Sequence, residues 1–125
     1  MRFMLIAKAT ESSERGLPPS PELMAAMGKL MEETAKSGKM LDGGGLMPSK
    51  FGAKLSLSGG KVTVTDGPYA EAKELIGGFI IVQVDSKEEA IEMTRHFLDM
   101  HAQILGPSYE MESEIRQMYE PPPAA

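Results

Sequence analysis

Asp66 and Arg116 are the side chains of this sequence whose types and settings could do chemistry. Asp66 opens the turn Asp66-Gly67-Pro68. Gly there tolerates a positive φ and Pro fixes its own φ, so the carboxylate is held at a rigid corner. It could serve as a general acid or base if desolvation or a neighbouring charge tuned it. Its simpler role is to accept a hydrogen bond from its own turn. Arg116 lies in an alternating segment, with Glu110, Glu112, Glu114 and Arg116 on one face and Met111, Ser113 and Ile115 on the other. If the apolar side faces helices, then Glu112, Glu114 and Arg116 look into the opposite space. The planar fork of Arg116 suits a carboxylate or phenolate there. A charge ladder on an exposed strand, or ion pairs between subunits, is the simpler use of that face.

Lys73 follows the turn between Glu71 and Glu74. The three make either a charged lid or a solvated loop with a weak ion pair. His101 shares a helical stripe with Phe97 and Leu98, the place of a packing residue or of a half-buried acid–base group, while His96 falls beside the stripe. Their five-residue spacing does not put both on one helix face, so they make no metal pair. Cysteine is absent, which excludes disulfides, thiolate catalysis and Cys-ligated zinc. Neither a metal nor a cofactor is expected. Ser, His and Asp are present without a nucleophile-elbow pattern. Gly43-Gly44-Gly45 lacks the G-x-G-x-x-G spacing and no helix follows it, so close packing or a bulge is expected rather than a phosphate cradle.

These residues must be carried by a short list of elements. Residues 2–8 read as a first strand, with Phe3, Leu5 and Ala7 on one face and Arg2, Met4, Ile6 and Lys8 on the other. A polar loop is expected over 10–19. Ser20-Pro21-Glu22 opens a helix whose stripe is Leu23, Met24, Met27, Leu30, Met31 and Thr34, and Gly38 stops it. A second strand covers Met40 to Leu46. Lys54–Leu57 and Lys61–Thr65 flank Ser58-Gly59-Gly60 as a hairpin. Residues 78–84 form the most apolar strand. Ser86 and Glu89 make a capping box for a second helix that ends at Gly106-Pro107, with Ala90, Ile91, Thr94, Phe97, Leu98 and His101 on one stripe. A last strand is expected from Tyr109 to Met118.

The order β-α-β, hairpin, β-α-β predicts an α+β, ferredoxin-like sandwich with both helices on one sheet face. The uncovered face needs a partner, and pairing with a second copy is economical. At 125 residues the chain is one domain, 1–120, with a flexible tail over 121–125. The net charge of −5 disfavours nucleic acid. No apolar run approaches a membrane span, and no signal-like leader is present, so the expectation is a cytoplasmic protein. The eleven methionines read first as an adaptable core, and second as a plastic pocket or dimer surface.

The run Asp66-Gly67-Pro68-Tyr69-Ala70-Glu71-Ala72-Lys73-Glu74-Leu75-Ile76-Gly77-Gly78-Phe79 resembles the signature of the YCII-related family, in its DGPF-domain branch, with Tyr69 where Phe is common. The opening strand Met1–Ile6, the segment Gly43–Leu46 and the closing Glu112-Ser113-Glu114-Ile115-Arg116 extend the resemblance over nearly the whole chain. The resemblance implies a dimeric α/β barrel. In the founding branch it implies a His–Asp pair with the His just inside the first helix. Here that helix starts Pro21-Glu22-Leu23-Met24-Ala25, without His.

The expectation that follows is a homodimer of undetermined activity with a pocket at the sheet interface for a small polar or anionic molecule. Asp66 and His101 would be its acid–base candidates, and Arg116, Glu112, Glu114 and Lys73 its binding residues. The alternative is a non-catalytic regulatory or protein-interaction module, since the family's association with sigma-factor-like regulators implies such a role.

Overall fold

A computed structural model describes residues 1–123. The chain runs β1 (Arg2–Lys8), α1 (Glu11–Glu14), α2 (Pro21–Lys36), β2 (Met40–Gly45), β3 (Ala53–Ser58), β4 (Lys61–Asp66), β5 (Ile76–Gln83), α3 (Lys87–Leu105) and β6 (Ser113–Gln117), with short 3-10 turns at Ser49–Phe51 and Ala72–Glu74. Four strands form one antiparallel sheet in the order β2-β5-β1-β6, and β3-β4 is a separate two-stranded arm. The architecture is α+β and compatible with the ferredoxin-like expectation. The sheet is open, and no closed barrel forms among the described residues.

Register fixes which residues face the helices. Phe3 pairs with Val82, and Leu5 lies between Ile80 and Ile115. These side chains pack with Val84, Ala90 and Met93 into the core. Val82 is wholly buried. The opposite face carries Met4, Ile6, Phe79, Ile81, Glu114 and Arg116 by strand alternation. Gly43 sits beside a register shift in β2. A Cβ there would come within 2.8 Å of the Ile80 side chain and 2.9 Å of the Phe79 carbonyl, so the close approach occurs at this glycine and the bulge just before it, between Met40 and Asp42.

The helix signals act as expected. Ser20 Oγ accepts from the Leu23 amide at 3.2 Å, and Pro21 occupies the first turn. Gly38 takes φ +77° after the helix, where a β-carbon would be strained. The capping box of α3 is displaced by one residue. Ser86 Oγ accepts from the Glu89 amide at 3.1 Å, but the Glu89 carboxylate accepts from the Asp85 amide at 3.0 Å.

Four expectations are corrected. The loop over 10–19 contains α1, because Thr10 and Ser13 cap one another reciprocally. Residues 109–112 are not strand: pairing with β1 stops at Ala7 and Ser113 where β1 changes register, and only the Lys8 amide reaches back, to the Glu112 carbonyl at 3.0 Å. Glu110 and Glu112 therefore lie outside the β6 alternation. Met24, expected on the inward stripe of α2, is 54% exposed. No methionine is among the buried hydrophobic residues; Met93 packs half-buried against the core, so methionine contributes to its edge and not its centre. The expected tail over 121–125 extends past the described residues.

Candidate functional site

Helix α2 docks through Leu23, its one buried residue. Farther along, Met27, Leu30, Met31 and Thr34 are half-buried and wall a cleft of about 1470 Å³. The facing wall is α3, through Met93, Phe97, His101 and Leu105. Leu5, Ile80 and Gly43–Gly45 form the sheet side, and Tyr109 and Met111 close the end after α3. Gly45, whose register partner Gly78 lies on the helix side, leaves open space where a side chain would stand. Small-molecule sites are commonly about 300–1,000 Å³ and mostly apolar, with a few placed polar groups. This cleft exceeds that range and matches the chemistry. Methionine suits such a wall because its thioether stem adapts to irregular shapes.

His101 is 4% exposed within this wall. Its Nδ1 lies 2.8 Å from the Phe97 carbonyl oxygen. A carbonyl only accepts, so Nδ1 carries the hydrogen and a neutral ring leaves Nε2 as an acceptor. The ring meets Phe97 edge-on at 4.4 Å and stacks on Tyr109 at 6.1 Å. At the other end of the cleft Glu89 accepts from Lys39 Nζ, joining the start of α3 to the chain that enters β2. The hydrogen bond from Lys39, then the Asp85 amide, holds the Glu89 carboxyl below its ordinary pKa. The same hydrogen bond, with the Glu89 charge, raises Lys39.

The residues singled out from sequence fall in three places. His101 lies on the helix side of the sheet. Glu114 and Arg116 lie on the other side, where Lys8 Nζ is 3.7 Å and Arg116 Nη1 3.5 Å from the Glu114 carboxylate. Arg116 is largely exposed, so this trio is a surface charge ladder. Glu112 is exposed ahead of β6. Asp66 ends the separate arm opposite Ala53 and is exposed, and its carboxylate accepts no hydrogen bond among the described residues. Lys73 is exposed in the second 3-10 turn and joins no ion pair among the described residues. No hydrogen bond or ion pair connects Asp66 with Arg116.

The turn at Asp66 has a packing role that belongs to its glycine. The Gly67 amide donates to the Gly52 carbonyl at 3.0 Å. A Cβ on Gly67 would fall 1.7 Å from the Ser49 carbonyl oxygen. Ser49 is fixed in turn by Glu14, whose carboxylate accepts from the Ser49 amide at 2.7 Å and from its hydroxyl at 2.6 Å. Sequence reasoning missed this clamp, because Glu14 and Ser49 are far apart in the chain and neither belongs to a motif. It also grouped Leu23, Met27, Leu30, Met31 and Thr34 on one stripe of α2 without saying what that stripe faces, since spacing reports which residues share a face and not what the face meets.

A family model described as the YCII-related domain matches residues 1–97. An uncharacterized protein of Rhizobium meliloti (strain 1021) is 32% identical to this chain over 73 residues, which span 58% of this chain and 59% of that relative.

Proposed function

The chain belongs to the YCII-related family, and from that premise we propose that it is a small-molecule-binding protein of the DGPF branch whose ligand occupies the cleft between α2, α3 and the sheet. The observation that carries this reading is the gap itself. Helix α2 turns Met27, Leu30 and Met31 toward a space that no other element among the described residues fills, and a nearly buried histidine lines the same space. A site at the sheet interface built on Arg116 has weaker support, because the Arg116 guanidinium already lies against Glu114. Binding, rather than a named reaction, is what the geometry supports.

In this reading the protein is a cytoplasmic homodimer. Two copies pair through the faces that carry Met4, Ile6, Phe79 and Ile81 and so complete an α/β barrel. The β3–β4 arm supports pairing as well: Leu55, Leu57, Val62 and Val64 share one face of it and are 60–75% exposed. The same apolar arm favours a second reading, a non-catalytic module that grips another protein.

Thermal-shift screening with apolar alcohols, carboxylic acids and phenols tests the cleft, since a ligand that binds only the native state raises Tm. Gly45→Leu, which puts a side chain into the open wall on the helix side of the sheet, should abolish that shift. A shift that survives Gly45→Leu, or no shift with any apolar compound, refutes the cleft reading. Sedimentation at micromolar concentration tests the dimer, and a folded monomer there refutes the barrel.

A further inference from the structure

We propose that His101 offers Nε2 as a hydrogen-bond acceptor to the occupant of the cleft, and that the site thereby selects a neutral, largely apolar molecule bearing a hydroxyl group. This rests on the cleft reading above and adds the class of ligand.

Charge balance comes first. The lysine and carboxylates lining the cleft are Lys8, Glu89 and Glu92. Each already has a partner: Lys8 with Glu114, Glu89 with Lys39, and Glu92 with Arg95 at 3.3 Å. Neither an anion nor a cation would find an unpaired counter-charge among them, and a charged ligand entering an apolar cleft would lose hydration without compensation. Thr34 and Thr94 donate their hydroxyl hydrogens to carbonyls one turn back, at 2.7 and 3.0 Å.

His101 differs from these groups. Its Nδ1–H is committed to the Phe97 carbonyl, while Nε2 has no hydrogen-bond partner among the described residues. Nε2 is not fully enclosed, and His101 lines the cleft. An acceptor held this way by packing on Phe97 and Tyr109 pairs with a donor. Among uncharged apolar compounds a hydroxyl supplies that donor with the least added polar surface.

The test compares 1-octanol with heptyl methyl ether, an isomer that lacks the donor, and with octanoate. Affinities are measured by calorimetry in mildly alkaline buffer on the wild-type protein, His101→Phe and His101→Gln. The expected result is that wild type binds 1-octanol about fivefold more tightly than the ether, as one hydrogen bond allows. His101→Phe should erase the preference while still binding both, and His101→Gln, whose amide oxygen accepts, should restore part of it. His101→Leu serves as the acceptor-free variant should the Phe variant not fold. Equal binding of alcohol and ether by wild type, tighter binding of octanoate, or a preference that survives loss of the acceptor overturns the role of His101 and leaves the cleft reading standing. Failure of all three probes to bind overturns both.

Discussion

Gly67→Ala measures how far the Asp-Gly-Pro turn is a packing device. The added Cβ would sit 1.7 Å from the Ser49 carbonyl oxygen, 2.5 Å from its carbonyl carbon and 3.1 Å from Lys50 Cα. All three are main-chain atoms, so no rotamer change relieves the overlap, and Ser49 is anchored by Glu14 from the other side. Overpacking of this kind costs about 3 kcal/mol, the upper part of the usual range. Loss of unfolded-state freedom on replacing Gly by Ala returns about 0.7 kcal/mol. The net is a destabilisation of roughly 2 kcal/mol, a fall in Tm of about 8 °C for a chain of this size. Gly44→Ala is the matched control, because its Cβ meets nothing within 4 Å. The unfolded-state effect is common to both variants, so the difference between them, about 3 kcal/mol, isolates the contact. Urea denaturation of the two variants and wild type gives all three numbers. Equal midpoints for Gly67→Ala and Gly44→Ala would refute the reasoning.

Asp66→Asn should change stability by less than about 0.5 kcal/mol, since the exposed carboxylate accepts no hydrogen bond; a larger loss in urea would show that its charge matters to the fold. Val82→Ala should cost about 2–3 kcal/mol, because the side chain is wholly buried and the neighbouring strands cannot fully close over the gap. A cost under about 1 kcal/mol would mean that the core relaxes freely. The Lys39–Glu89 pair should show a two-sided pH profile. Glu89 is lowered in the folded state, so its contribution is present above the ordinary glutamate range and is lost as pH falls through the lowered value. Lys39 is raised, so its contribution is present below the ordinary lysine range and is lost as pH rises through the raised value. The stability difference between wild type and Glu89→Gln, measured as urea midpoints against pH, should be flat near neutrality and shrink at both extremes. A difference that grows on acidification would contradict this sign.

Local signals were enough for the two long helices, for most of the strands and for their order, but not for α1 or the start of β6. Ser20 and Ser86 start the long helices because a side-chain oxygen meets an amide that the helix leaves free, and that geometry involves only a few adjacent residues. Alternation in β1 put Phe3 and Leu5 on one face, and the sheet uses that face for its core. Tertiary structure decided the rest. Spacing could group Met27, Leu30 and Met31 but could not say that a cleft, rather than the sheet, lies in front of them. Alternation carried Glu112 into a strand that ends before it, because strand length depends on how far β1 continues as a partner. The reason for Gly67 lies in the Ser49 carbonyl, and the tautomer of His101 in the carbonyl one turn before it. Periodicity reports a side chain's direction relative to its own backbone, whereas a site depends on what the other elements bring to the same point in space.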